Sequence, residues 1–518
     1  MILLLGVLVC LVAFFAVGCS GLVQEEAQTP TQQPNIVFIL ADDMRADEFE
    51  HMPQTRQLLA EEGLVFEEAF VTHSLCCPSR TSILRGQYTH NHQVQTNGPP
   101  EEGGFEKFRS MGHEDSTLAT WLKSGGYQTV LIGKYLNGYP RTEEETYVPP
   151  GWDEWYGRLR GEPYYDYQMN ENGRVVSYGG GEQDYYTDVL AEKAKDYARR
   201  VAGSSRPFFM YLAPATPHGP FIPAPRHEDA YADVEAPRPP SFDEPDVGDK
   251  PEWVRDLPRL GPEEPADAEE ELTGPVEEPA DTEEELTGPE EEPAGAEEDS
   301  ARAEEKIDNA YRNRLRMLLS LDEMVAGLVE ELRAAGELEN TYLFFTSDNG
   351  YHLGEHRIAL GKRTVYEEAV RVPLAVRGPG VAPATTADEM VLNIDFAPTI
   401  AELAGVSAPS FVDGRSLAPL LSGATPETWR SAFLLEHWSG GGGGPRQVPT
   451  YAAVRTGTYK YVEYDNGERE LYDLSSDPYE LESQHDSADP ALVGELESRL
   501  EALKECAGRS CREAEDAP

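Results

Sequence analysis

The chain is 518 residues long, 39% hydrophobic, and carries a formal charge of −51. That length exceeds a typical domain and that apolar share can build a real core, while the missing basic footprint excludes general nucleic-acid binding. Eighteen acidic residues crowd between Gly261 and Ser300 without a Lys or Arg, and the rest of the chain still carries −33. Any anion site must therefore be made locally positive by a metal or by Arg and Lys.

Residues 1–17 are almost entirely apolar, too short for a firm membrane span, and read as an export signal. Ala16-Val17-Gly18-Cys19 resembles a bacterial lipobox, so the reading is an exported protein, lipid-anchored through Cys19 to the outer face of a bacterial membrane or otherwise secreted. No Lys or Arg precedes the apolar run. A signal peptide over 1–18 is followed by a polar tether over 19–33.

Residues 35–40 form a continuous apolar run, the pattern of a parallel strand buried on both faces. It ends in Asp42-Asp43, two carboxylates that repel each other unless a cation lies between them; a helix cap or turn is the plainer alternative. The construction recurs. Residues 127–132 lead into Gly133-Lys134, residues 207–212 into a loop ending at His218, and residues 342–345 into Asp348-Asn349-Gly350. Open α/β sheets bind ligands beyond the carboxyl ends of their strands. Helical patterns at 116–123, 187–201 and 315–335 supply the crossovers. Four strands delivering polar residues at one edge predict a shared site. Asp42, Asp43, Asp348 and Asn349 offer only hard oxygen ligands, the preference of Ca²⁺ or Mg²⁺.

Residues 225–300 are Pro- and acid-rich with near-repeats such as GPEEPADAEEELT and GPVEEPADTEEELT, and predict a disordered insertion. Residues 372–376 read as another strand, 393–400 as the start of a helix, and the glycine run at 439–445 as a flexible break. Beyond it, 451–454, 460–464 and 470–474 read as antiparallel strands and 491–503 as a last helix. Cys506 and Cys511 read as a local disulfide in an exported protein, or as free thiols. The expected domains are a catalytic unit over 34–423, interrupted at about 225–300, and a C-terminal subdomain over 424–518.

The stretch SLCCPSRTSILRGQYTHNH, residues 74–92, stands apart. Pro78 suits the first helical position, which would leave Cys76 at the positive end of a helix facing an anion. A buried small hydrophobe is the bland reading of such a Cys. Cys76-x-Pro78-Ser79-Arg80 followed by TSILRG resembles the signature of the type I, formylglycine-dependent sulfatases; LCCPSR, GKYLN and SDNGYHLGE are similar to N-acetylglucosamine-6-sulfatases and heparan 6-O-endosulfatases, and ELYDLSSDPYE to the family's C-terminal subdomain.

The resemblance implies an alkaline-phosphatase-like α/β fold, with a large, mostly parallel sheet flanked by helices and a smaller antiparallel C-terminal sheet. It implies a sulfuric ester hydrolase acting on sulfated sugars, N-acetylglucosamine-6-sulfate units of glycosaminoglycan-like glycans foremost. It also implies conversion of Cys76 to formylglycine by a formylglycine-generating enzyme, and one divalent ion, Ca²⁺ foremost and Mg²⁺ second, held by Asp42, Asp43, Asp348, Asn349 and modified Cys76. One hydroxyl of the formylglycine hydrate attacks sulfur and the other lets the aldehyde re-form. Arg80 holds the hydrate, Lys134 and Lys362 bind sulfate oxygens, His218 protonates the leaving alcohol, and Asp348 deprotonates the attacking hydroxyl. Many sulfatases carry His two residues after the first Lys; here it is Leu136, so His90 is the candidate base for sulfate release. The alternatives are a phosphodiesterase or phosphonate ester hydrolase of the same superfamily and a non-catalytic binder of sulfated glycans.

Overall fold

The computed structural model describes residues 33–140, 145–261, 296–440 and 448–517. The expected leader and, Gln33 excepted, the tether lie outside the described residues, as does 262–295 of the acidic repeats. Among the described residues, no helix is long and apolar enough to cross a membrane.

The apolar run at 35–40 becomes strand β1 (Asn35–Ala41), which has every residue buried. It is the central strand of a ten-stranded sheet. The others are β2 (Leu64–Phe66), β4 (Gln128–Gly133), β5 (Glu154–Gly161), β6 (Tyr167–Glu171), β7 (Val175–Ser177), β8 (Phe208–Ala213), β9 (Thr341–Ser347), β10 (Leu374–Arg377) and β11 (Thr385–Ala387), in the order β11-β2-β10-β9-β1-β8-β4-β5-β6-β7. Strands β9, β1, β8, β4 and β5 run parallel, and both flanks turn antiparallel, at β10 and at β6. Two short strands, β3 (Ala69–Phe70) and β12 (Val391–Leu392), pair apart from it.

Alternate residues of a strand point to opposite faces, and β1 divides its side chains accordingly. Ile36, Phe38 and Leu40 join one hydrophobic cluster with Ile83, Leu122 and Ile400. Val37, Ile39 and Ala41 join a second with Leu190, Tyr197 and Leu318. The helices Cys76–Arg85, Leu118–Ser124 and Phe396–Leu403 thus cover one face, and Tyr186–Val201 and Ala296–Ala334 the other. Burying each large apolar side chain is worth about 1.5–3 kcal/mol, so β1 is anchored from both sides.

The C-terminal strands form a separate antiparallel sheet, β13 (Ala432–His437), β14 (Tyr451–Thr456), β15 (Tyr459–Tyr464) and β16 (Arg469–Asp473). Its inner residues Phe433, Leu435, Tyr461 and Leu471 lie in the first cluster, and residues 33–518 form one compact unit. The small sheet is therefore built onto a core it shares with the large one. Cys506 and Cys511 are disulfide-bonded.

Three expectations are corrected. The disorder expected from 225 does not hold for residues 225–261, which are ordered because Val247, Trp253, Val254 and Leu260 are buried within a stretch whose composition hides them. The crossover helix expected at 315–335 begins at Ala296. Pro78, expected at the first helical position, is the third residue of the Cys76–Arg85 helix. There too its missing N–H costs nothing, since the first turn has no intrahelical acceptors for its donors.

Candidate active site

Four chain segments past the carboxyl ends of β1, β4, β8 and β9 converge with the start of the Cys76–Arg85 helix. That helix has all ten residues buried, so its polar side chains must find partners inside the protein. Arg80 lies one turn after Cys76, on the same face. Its Nε donates to Asp348 Oδ2 (2.7 Å), one terminal nitrogen donates to the Lys134 carbonyl (3.1 Å), and the other is 3.5 Å from Asp42 Oδ2.

The two aspartates after β1 diverge because Asp43 takes a left-handed conformation, φ 65°, which Asp tolerates better than most residues. Asp42 Oδ2 receives Lys134 Nζ at 2.6 Å. Asp43 Oδ1 receives Lys362 Nζ and, at 2.7 Å, Asn349 Nδ2. The Asp43 backbone N–H donates to Asp348 Oδ1 (3.1 Å). Lys134 reaches the site because β4 packs closely on β8: Gly133, at φ +118°, leaves no room for a Cβ, which would stand 2.0 Å from the Ala213 carbonyl oxygen.

Cys76 Sγ stands at the centre. It is 3.0 Å from Lys362 Nζ, 3.5 Å from Asp42 Oδ1 and 3.8 Å from Asp43 Oδ1, and the residue is fully buried. Burial pushes its thiol well above the ordinary value, against the pull of Lys134 and Lys362. As a thiol it stays protonated and is a poor nucleophile. Burial would raise Asp42, but Lys134 and Arg80 outweigh it and hold the carboxyl well below its ordinary value. Asp348 is pushed up to about 6 by burial and by Asp42, which exceed the pull of Arg80 and Lys134.

His218 is part-exposed at the rim. Its Nδ1 is 2.7 Å from the Gly219 carbonyl and its Nε2 faces Asp43 Oδ2 at 3.6 Å. Ligand atoms of Asp42, Asp43, Cys76 and His218 all lie within 4.8 Å of one another. Asp43 Oδ2 and Asn349 Oδ1 are buried without a hydrogen-bond partner, the mark of oxygens aimed at a cation. With Asp42 and Asp348 they form an all-oxygen donor set, which fits a hard divalent ion.

The structure brings Asp42, Asp43, Cys76, Arg80, Lys134, His218, Asp348, Asn349 and Lys362 together. It does not bring His90 to them. His90 Nδ1 is held by Glu436 Oε1 (2.8 Å) and Nε2 by the Cys506 carbonyl (2.9 Å), at the seam with the C-terminal sheet. Three supporting residues escape sequence reasoning. Arg314, buried in the Ala296–Ala334 helix, donates to the Asp43 carbonyl (2.6 Å) and forks onto Glu48. The Tyr164 hydroxyl donates to the carbonyls of Ala215 (3.0 Å) and His218 (2.5 Å). Asn97 Oδ1 accepts the Cys77 N–H. None carries a local motif.

The sulfatase family model matches residues 34–406. The chain belongs to the sulfatase family. It is a sulfuric ester hydrolase, and a second model, the C-terminal region of N-sulphoglucosamine sulphohydrolase, matches residues 354–506. N-acetylglucosamine-6-sulfatase of Homo sapiens is 35% identical over 532 residues, covering 96% of this sulfatase and 88% of the relative. An extracellular sulfatase SULF-1 homologue of Drosophila melanogaster is 33% identical, covering 78% of this chain and 33% of that protein. The solved structure of BT4656 in complex with its substrate D-glucosamine-2-N,6-O-disulfate matches with TM-score 0.72 and 26% identity, over 93% of this chain and 99% of that one.

Proposed function

We propose that this sulfatase removes the 6-O-sulfate of N-acetylglucosamine-type units in sulfated glycans, with Cys76 converted to formylglycine and Ca²⁺ as the resident ion. The observation that carries the reading is the placement of Cys76 Sγ between Lys362 and Asp42, at 3.0 and 3.5 Å, inside a ring of cations and ion-seeking oxygens. The substrate is supported by the 35% identity to N-acetylglucosamine-6-sulfatase over nearly the whole chain.

Asp42, Asp43, Asp348 and Asn349 would hold the ion, with the modified residue 76 at its side. Bound there, formylglycine supplies a geminal diol as nucleophile and the ion withdraws charge from the sulfate oxygens. The chain's own residues do the rest. Lys134 and Lys362 present ammonium groups where sulfate oxygens gather charge, which is electrostatic stabilisation in a dry site. Arg80, locked by Asp348 and the Lys134 carbonyl, orients residue 76. His218 holds a proton on Nε2 for the leaving alcohol, and its ring is fixed by the Gly219 carbonyl. The three carboxylates are matched by Arg80, Lys134 and Lys362 before any ion binds, so a divalent ion makes this pocket net positive within an acidic protein.

The reading is tested by the mass of the peptide containing residue 76, together with sulfate release from N-acetylglucosamine-6-sulfate. Formylglycine at 76, with turnover abolished by C76A and by chelation, is the expected result. An unmodified, fully active Cys76, or faster turnover on phosphate and phosphonate esters, would sink it. Export, with Cys19 as lipid-bearing N-terminus, belongs to the same proposal and is supported by the apolar leader. Labelling with a lipid precursor tests it, and an unlabelled, soluble product removes the anchor.

A further inference from the structure

A second group of ionisable side chains lies outside the catalytic cluster and has no part in the chemistry above. His356, Glu368 and Glu480 each place one ligand atom so that all three lie within 4.8 Å of one another. His356 is fully buried and Glu480 nearly so. His356 Nε2 faces Glu368 Oε2 at 3.9 Å, and neither atom has a hydrogen-bond partner.

The outward atoms of the same side chains are held. His356 Nδ1 is bonded to Glu244 Oε2 at 2.8 Å. Glu368 Oε1 accepts from Ser241 Oγ (3.4 Å), and Glu480 Oε2 accepts the Glu367 N–H (2.9 Å). The Tyr366 ring stacks on His356 with centroids 4.0 Å apart, fixing the plane of the imidazole. A histidine that gives one ring nitrogen to a carboxylate and aims the other at an unpaired carboxylate oxygen, here Glu368 Oε2, has the build of a metal ligand with its supporting shell. Two bonds of about 2.0–2.2 Å, the usual Zn–N and Zn–O lengths, meeting at a tetrahedral angle span about 3.4 Å, so the 3.9 Å gap would close by about half an ångström on binding.

The neighbouring charge does not remove the case. Lys460 Nζ is 2.7 Å from Glu480 Oε1 and 3.0 Å from Glu367 Oε1, and Lys250 Nζ is 3.5 Å from Glu244 Oε1. Four carboxylates, of Glu244, Glu367, Glu368 and Glu480, therefore face two ammonium groups. Arg455, 3.6 Å from Glu367, is shared with Glu68.

We propose that His356, Glu368 and Glu480 form a second, structural site for a divalent transition ion of the Zn²⁺ class, with Glu244 orienting the histidine. The imidazole separates it from the catalytic cage, since nitrogen ligands suit Zn²⁺ and its neighbours whereas Ca²⁺ takes oxygen. The site ties together residue 244, the segment 356–368 that carries Lys362, and residue 480 near the C-terminal sheet. Its ion would hold the Lys362 segment from behind.

The test is equilibrium dialysis of the full-length protein against Co²⁺ and Zn²⁺ in saturating Ca²⁺, followed by metal analysis and the visible spectrum of the Co²⁺ form. One transition ion per chain is expected, with d–d bands of a nitrogen-containing site. H356Q and E368Q should each weaken uptake by more than tenfold, and E244Q by about 10–100-fold as a supporting residue. Glu368 is part-exposed, so E368Q keeps the test open if H356Q misfolds. C76A should leave uptake unchanged, which separates this site from the sulfatase reading. No uptake, a Co²⁺ spectrum without nitrogen ligation, or uptake indifferent to both ligand substitutions would overturn the proposal.

Discussion

Lys362 is the residue on which two demands meet: its ammonium touches both Cys76 Sγ and Asp43 Oδ1 in a buried position. A donor so placed acts where charge develops, and removing one such donor typically costs about 10²–10³ in rate, or about 2.7–4 kcal/mol. K362M should lose that much in kcat/KM while its circular dichroism stays native; a loss below tenfold would mean the ammonium does not reach the sulfate. His90 makes the opposite case. Burial lowers its pKa, but Glu436 and the Cys506 carbonyl raise it further, to about 9. A histidine raised in the folded state contributes stability that is full below about 6.5 and fades as pH rises through about 9. H90Q should therefore lose about 1–3 kcal/mol of stability at pH 6 and match the parent near pH 10, with turnover of the folded enzyme unimpaired. Accumulation of a sulfated enzyme in H90Q would restore it as the base. His90 shares a motif with Cys76, but nearness in sequence does not set direction, and the short Thr89–His92 helix turns it to Glu436. Arg314 was invisible for the converse reason: it supports Asp43 from 271 residues away.

At the scale of elements, the legible parts were those whose burial leaves a pattern. Strands β1, β8 and β9 are covered on both faces and read as unbroken apolar runs that end in functional residues. Strand β5 (EWYGRLRG) mixes charge, glycine and aromatics with no clean alternation, and neither it, nor its antiparallel partner β6, nor β7 beyond, leaves such a signature. The catalytic helix shows how an element's far end can be tested apart from its chemistry. Gly86 closes it at φ +68°, its N–H bonded to the Ser82 carbonyl (2.7 Å), and a Cβ there would stand 2.9 Å from Val412 Cγ1. G86A should cost about 1–3 kcal/mol through backbone strain and crowding, seen as a lower denaturation midpoint. Cys76 sits at the opposite end, so the folded fraction should keep its kcat. A G86A protein of unchanged midpoint would mean that the helix end yields to the methyl without strain.

The whole molecule sets a problem that no single residue answers, because a chain of formal charge −51 must admit a sulfated, negatively charged substrate. Outside the pocket the field repels such a ligand, and the repulsion reaches far at low salt, where the Debye length is about 30 Å at 0.01 M against about 8 Å at 0.15 M. Inside it, Arg80, Lys134, Lys362 and the proposed ion are buried or nearly so and are screened far less. Salt should therefore weaken the repulsion more than the attraction. With Ca²⁺ held constant, kcat/KM on a polyanionic glycan should rise several-fold between 0.01 and 0.15 M NaCl, opposite to the usual fall for attracted partners. The rise should be smaller on a sulfated monosaccharide, which carries less charge through the same field, and kcat should barely change because the chemistry happens behind the screen. A monotonic fall on both substrates would show that the positive pocket, and not the acidic exterior, governs encounter.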